Sequence, residues 1–289
     1  MTIATIDIGG TGIKFASLTP DGKILDKAST PTPETLEDLL AWLDQRLSER
    51  DYRGIAMSVP GAVHQETGVI EGISAIPYIH GFSWYEALAH HKLPVHLEND
   101  ANCVGLSELL AHPEIENAAC VVIGTGIGGA MIINGKLHRG RHGLGGEFGY
   151  MTTIEPAEKL NNWSQLASTG NMVRYVIEKS GQTDWDGRKV YQEAVTGNAL
   201  CQEAIERMNR NLAQGLLNIQ YLIDPDVISL GGSISQNPDF IKGVQKAVGA
   251  FVDRYEEYTI APVIQACTYQ ADANLYGALV NWLQEENQW

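Results

Sequence analysis

The chain has 289 residues, 44% of them hydrophobic, and a formal charge of −15. That length accommodates two domains at the usual ~100–200 residues each, and the apolar content excludes a disordered chain. The acidic balance repels nucleic acid and anionic membrane surfaces at long range, so neither is an expected partner, although a local phosphate site stays open.

No apolar run approaches the ~20 residues that a membrane helix needs. The opening MTIATIDIGG reads as a strand entering a glycine turn, without the basic start of a signal peptide. Cys103, Cys120, Cys201 and Cys267 are scattered and form no C-x-x-C pair, so neither a disulfide framework nor a zinc site is expected. The expected location is the cytoplasm.

In chain order, a β-branched strand from Ile3 to Ile8 ends in Gly9-Gly10-Thr11-Gly12. Strands from Lys14 to Leu18 and from Lys23 to Lys27 follow, joined at Pro20-Asp21-Gly22. Leu36, Leu39, Leu40, Leu43 and Leu47 predict a helix over 34–49. Strands are predicted at 54–59 and 95–98, and Asn99-Asp100 opens a helix to Ala111. Cys120 to Ile123 then leads into Gly124-Thr125-Gly126-Ile127-Gly128-Gly129, a strand over 130–133, an Asn134-Gly135 turn and Lys136-Leu137. Helices are expected at 171–179 and 199–223, a strand at 227–230 ending in Gly231-Gly232, and a last helix over 273–285.

Strand, glycine turn and hairpin thus occur twice, which reads as one α/β unit duplicated and facing its copy across a cleft. The division expected is 1–112 plus 273–289 for a smaller domain, and 113–272 for a larger one.

The glycine turns have a chemical use. Without Cβ atoms, the backbone at Gly9 and Gly10 can approach phosphate oxygens and donate N–H bonds. Thr11 adds a hydroxyl and Lys14 a point charge, and Asp7 is suited to Mg²⁺ through water. Gly124, Thr125, Gly126 and Gly128 would do the same in the second loop. Gly124, Gly126 and Gly129 also satisfy the dinucleotide fingerprint, with Glu147 where its ribose acid would fall. That fingerprint must open a helix, however, and here a strand and hairpin follow. A Walker A sequence is missing too.

Asp100 stands where a strand stops and a helix starts, a position from which a carboxylate can accept the proton of an attacking hydroxyl. Asn99 beside it can donate to and accept from sugar hydroxyls. Asp is also a favoured helix N-cap, which is the alternative use of residue 100.

These segments resemble, in order, the motifs of the ROK family of sugar kinases, within the actin/hexokinase superfamily. IDIGGTGIK is similar to its first phosphate motif, Ser58-Val59-Pro60-Gly61 to its sugar-domain turn, LENDANC to its catalytic segment and IGTGIGGAMIINGKL to its second phosphate motif. GLGGEFGY, DPDVISLGGSIS and ADANLYGA complete the series. The resemblance implies a duplicated actin-like (ribonuclease H-like) α/β ATPase fold and ATP with Mg²⁺ as cofactors. It makes Asp100 the catalytic base, Asn99, Gly61 and Glu147 sugar-binding, Asp7 a neighbour of Mg²⁺ and Gly231 and Gly232 adenosine-binding. It also implies a homodimer.

The departures are informative. Tyr150 occupies the place of a family histidine, and Lys159-Leu160-Asn161-Asn162-Trp163-Ser164-Gln165 lacks the zinc-binding cysteines, with Ser164 near the place of a sugar-binding glutamate. This pattern resembles the β-glucoside kinase branch, which implies phosphorylation of the 6-hydroxyl of the non-reducing glucose in disaccharides such as cellobiose. The alternatives are glucokinase, fructokinase or N-acetylmannosamine kinase. A non-catalytic sugar-sensing regulator is a further one, opposed by a first strand that leaves no room for a DNA-binding domain.

Overall fold

The computed structural model describes residues 2–72, 74–153 and 161–289. Lys159 and Leu160, part of the stretch compared with the zinc motif, lie outside them. The chain runs through strands β1 (Ile3–Ile8), β2 (Gly12–Leu18) and β3 (Ile24–Pro31), helix α1 (Leu36–Ser48), β4 (Gly54–Val59), the hairpin β5 (Ala62–His64) and β6 (Val69–Glu71), the short α2 (Trp84–Ala87), β7 (Val95–Asn99) and α3 (Asp100–Ala111). Then come β8 (Ala118–Ile123), β9 (Ile127–Ile133), β10 (Lys136–Leu137) and the small pair β11 (Thr152–Thr153) and β12 (Asn161–Asn162). Helices α4 (Trp163–Ala167), α5 (Thr169–Ser180), α6 (Gly187–Val195) and α7 (Ala199–Ile223) precede β13 (Val227–Gly231), α8 (Pro238–Val252), β14 (Ile264–Ala266) and α9 (Ala273–Glu285).

Two compact units result. The first comprises Met1–Glu114, Arg139–Gly145 and Ala271–Trp289, and the second Ile115–His138 and Gly146–Gln270. Arg139–Gly145 was expected with the second unit but groups with the first. The cause is Arg139, whose Nε donates to Glu98 Oε2 at 2.6 Å and whose Nη2 donates to Asn281 Oδ1 at 2.7 Å and Glu285 Oε1 at 3.0 Å.

Each unit holds one five-stranded sheet, and the two share one plan. The first has the order β3-β2-β1-β4-β7 and the second β10-β9-β8-β13-β14. In both, the strand before the glycine turn pairs antiparallel with the strand after it and parallel with the next one inward. The duplication is therefore explicit in strand order as well as in the repeated glycine turns.

Burial explains the composition of these strands. All six residues of β1 and all six of β4 are buried, which suits central strands covered on both faces. In the first unit α9 lies against α3 so closely that a Cβ on Gly277 would sit 1.7 Å from the Cys103 carbonyl oxygen. Only glycine permits that approach. In the second unit Trp163 packs over Gly215 of α7, and Leu212, Leu216, Phe240 and Val244 extend the same fully buried cluster.

Candidate active site

The first unit aligns polar residues at the carboxyl ends of its parallel strands. Register places Lys14 and Ser58 on either side of Asp7, and Glu98 beside Ser58. Paired residues of adjacent strands present side chains to one face, so these four form a row. Asp7, Ser58 and Glu98 are buried. Asp7 Oδ2 accepts from Lys14 Nζ at 3.1 Å, while Oδ1 accepts from Asn274 Nδ2 at 2.8 Å and from Ser58 Oγ at 3.4 Å. A carboxylate offers about four acceptor sites, so one remains. That fits a Mg²⁺ ion held through its water shell, an ion that sheds water reluctantly. Lys14 also donates to the Ala271 carbonyl at 2.6 Å, so its ammonium is partly committed.

The first glycine turn is closed by Gly9 N–H donating to Gly12 O at 3.1 Å and by Thr32 Oγ1 donating to Gly9 O at 2.6 Å. Among the described residues, the N–H groups of Gly10 and Thr11 at its exposed tip have no acceptor. Such paired, outward N–H groups form an anion-binding concavity.

At the end of β7 the cap is Asn99, not Asp100. Asn99 Oδ1 accepts from Ala101 N at 2.9 Å and Asn102 N at 3.2 Å, and Nδ2 donates to Gly61 O at 3.1 Å. Both lone pairs of the amide oxygen are spent, which corrects the expectation that Asn99 both donates to and accepts from a ligand: its amide can only donate. Relieved of the cap, Asp100 is the first helical residue, with Oδ1 accepting from Ala101 N at 2.8 Å and the Asn99 amide as a second donor acting on its carboxyl. Burial pushes its carboxyl above the usual carboxylate range; the Ala101 N–H opposes this, and the charge of Asp7 adds to it. Such a shift moves a carboxylate toward useful basicity.

Beneath this turn, Glu98 Oε1 accepts from Asn99 N and Asn102 Nδ2, each at 2.8 Å, while Oε2 takes the Arg139 bond. Gly61 has φ +102°, and a Cβ there would lie 2.6 Å from the Glu71 carbonyl oxygen. Glycine is required on both counts.

In the second unit the turn after β8 is closed by Gly124 N–H donating to Gly126 O at 2.9 Å. Thr125 and Gly126 lie on this turn, but Gly128 does not. It pairs with Val122 within β9, because the ladder already resumes at Ile123 and Ile127 and shortens the turn to three residues. Ser164 braces the turn, accepting from Ile127 N at 2.9 Å and donating to Ile127 O at 3.2 Å. Its hydroxyl therefore serves the loop. Gly170, in the first turn of α5, donates to Gly124 O at 3.2 Å, which brings a helix N-terminus beside the loop.

Glu147 is half-buried between two glycines packed on β9. Added Cβ atoms would meet Ala130 Cα at 2.8 Å from Gly146 and Ile127 O at 2.0 Å from Gly149. These contacts fix the backbone on both sides of the acid. Tyr150 is 72% exposed. Gly232 follows β13 at φ +89°, where a Cβ would lie 2.1 Å from Ile123 O.

Next to Gly232 is a cavity of about 600 Å³ lined by Thr169, Asp186, Arg188, Tyr191, Gln236 and Asn237 among others. The Thr169 and Tyr191 hydroxyls are buried without a hydrogen-bond partner among the described residues, and burial pushes the Tyr191 hydroxyl pKa up. Unpaired buried hydroxyls on a cavity wall are costly unless a ligand completes them. Sequence reasoning missed this cavity, and missed Asn274 and Ser58 on Asp7. Asn274 lies in the ADANLYGA run and Ser58 in the SVPG turn, so both were within recognised motifs without an assigned role. Among the described residues, Asp44, His90 and His91 form the one group with metal-ligand spacing, and it is partly exposed on α1 and the turn before β7.

The ROK family profile matches residues 3–285. The chain belongs to the ROK family. Its resemblance to a β-glucoside kinase of Listeria monocytogenes is 35% identity, covering 100% of this chain and 99% of the relative. A solved ROK family protein of Streptococcus pneumoniae TIGR4, in complex with sucrose, is 89% identical with a TM-score of 0.98 and full coverage of both chains. A ROK hexokinase of Thermus thermophilus is 26% identical with a TM-score of 0.86, covering 99% of this chain and 100% of that one. The duplicated sheets of this ROK chain are those of the actin-like sugar kinase fold. Among the described residues no helix is long and apolar enough to cross a membrane.

Proposed function

We propose that this ROK protein is an ATP-dependent carbohydrate kinase that phosphorylates the 6-hydroxyl of a glucose unit, specifically the non-reducing glucose of β-glucosides such as cellobiose. The observation that carries the reading is Asp100: a basic-shifted carboxylate at a strand end whose cap has been taken over by Asn99. Asp100 orients the acceptor hydroxyl and takes its proton as the sugar oxygen bonds to the terminal phosphorus of ATP. The bridging P–O bond breaks and ADP leaves. Mg²⁺, near Asp7, would neutralise charge on the phosphates.

The first unit supplies Asn99, Gly61 and Asp100 for the sugar, and Gly9, Gly10, Thr11 and Lys14 for phosphate. The second supplies Glu147 for a sugar hydroxyl, the turn at Gly124, Thr125 and Gly126 for phosphate, and the cavity beside Gly231 and Gly232 for the nucleoside. Kinship with a β-glucoside kinase, and the sucrose held by the Streptococcus pneumoniae protein, support a disaccharide over a free hexose. An ATP-dependent activity of this kind fits the cytoplasm, and the family resemblance favours a homodimer.

The test is ADP release, coupled to an indicator enzyme, across cellobiose, gentiobiose, sucrose, glucose, fructose and N-acetylmannosamine. The expected result is a higher kcat/KM for cellobiose or gentiobiose than for any monosaccharide. A clear preference for glucose would move the assignment to glucokinase.

A further inference from the structure

The first unit contains a second cavity, of about 440 Å³, walled by the β5–β6 hairpin and by the segment after β10. Its size lies within the ~300–1,000 Å³ of small-molecule sites. It begins at Ala62, next to Gly61, whose carbonyl is the acceptor for Asn99. Across the hairpin, Glu71 pairs with Ala62.

Both walls are referenced to the strand that carries the catalytic segment. Gln65 of the hairpin turn donates to the Leu97 carbonyl at 3.3 Å, and Arg139 of the other wall is anchored on Glu98. The cavity therefore holds a fixed position relative to Asp100, two residues beyond Glu98.

The lining identifies the ligand class. Apolar side chains are limited to Ala62 and Val63, which gives an aryl group little to pack on. Arg139 is already matched by Glu98 and Glu285, and Arg141 shares the lining with Glu66 and Glu71, so no net positive charge is left for an anion. Arg141, Glu66 and Glu71 have no hydrogen-bond or ion-pair partner among the described residues, and His64 and His142 add groups able to donate or accept. Uncommitted donors and acceptors of balanced charge match the hydroxyls of an uncharged sugar.

We propose that this cavity is the subsite for the second hexose of the disaccharide, the ring that is not phosphorylated. The assignment rests on the carbohydrate kinase reading and adds where the aglycone goes and that it is a neutral sugar.

The test uses the full chain carrying Arg141→Ala or Glu71→Gln, both exposed side chains outside the catalytic set, with cellobiose, methyl β-glucoside and glucose as acceptors. Loss of a charged hydrogen bond to the second ring lowers kcat/KM for cellobiose by roughly tenfold or more. The values for methyl β-glucoside and glucose stay within about twofold, since uniform binding elsewhere is untouched. Equal losses on all three acceptors, or cellobiose kinetics identical to wild type, would overturn the subsite while leaving the kinase intact. If wild type phosphorylates no sugar, the kinase reading fails. Calorimetric binding of cellobiose to wild type and Arg141→Ala then still decides the subsite: weaker binding in the variant supports it, and equal or no binding refutes it.

Discussion

Replacing Asp100 by Asn separates chemistry from structure unusually well in this fold. The N-cap of α3 belongs to Asn99, so the substitution leaves both capping bonds in place, and the new amide oxygen can still accept from Ala101 N–H. What disappears is the negative charge and its capacity to take a proton. Loss of a general base costs ~10²–10⁴-fold in rate, so kcat should fall by at least ~10² while the sugar KM moves only a few-fold. Stability should barely change. The folded carboxyl titrates above its unfolded value, so the fold opposes its ionised form: the group's stabilising contribution is present at low pH and is lost as pH rises through the folded pKa. At neutral pH the Asn variant is relieved of that cost but forgoes the ~0.3–1 kcal/mol of a carboxylate at a helix start. These effects oppose each other, and the melting temperature should stay within about 3 °C of wild type. The same shift fixes the pH profile. Wild-type kcat/KM should rise with pH through a limb above the usual carboxylate range, and that limb should vanish in the variant. Turnover of Asp100→Asn within tenfold of wild type, measured by ADP release with melting curves as control, would refute the assignment of the base.

Gly126→Val tests the second turn. A Cβ there meets nothing nearer than Ser164 Oγ at 3.5 Å, so the fold should tolerate it while phosphate approach is blocked; KM for ATP should rise by about tenfold or more with sugar affinity preserved, as titration of each ligand would show. Gly61→Ala forces a Cβ against the Glu71 carbonyl at φ +102°, and should cost ~1–3 kcal/mol in denaturant unfolding and raise the sugar KM. Arg139→Met strands the buried carboxylate of Glu98. Because Arg139 is 28% exposed, the loss should fall near the lower end of the ~3–5 kcal/mol seen for broken buried pairs, read from a lowered denaturant midpoint.

Much of the fold was legible because its strongest signals are local. The strand from Ile3 to Ile8, the helix from Asp100 to Ala111 and the long helix from Ala199 to Ile223 follow from burial period and turn chemistry. The duplication was readable because two glycine turns recur with the same strands around them. Other features depend on contacts distant in sequence. Segment 139–145 joins the first unit through one arginine, and neither its charge nor its neighbours in sequence reveal the partners Glu98, Asn281 and Glu285. Helix α8 was overlooked despite a clear start: Asn237 caps it, Pro238 takes the first position, and Phe240, Val244 and Val248 are spaced by four. The turn from strand to helix at residues 98–100 was located correctly in the chain, but the choice between Asn99 and Asp100 as cap depends on backbone angles. Gly128 was misplaced because a glycine run does not disclose where a ladder resumes.

The most direct measurement is the position of the phosphate in the product. Incubation with ATP, Mg²⁺ and cellobiose, followed by ³¹P–¹H correlation NMR, should show one new phosphoester, coupled to the C6 protons of the non-reducing glucose. An absence of any sugar phosphoester above the ATP-hydrolysis background, or a phosphate on the reducing ring, would contradict the account.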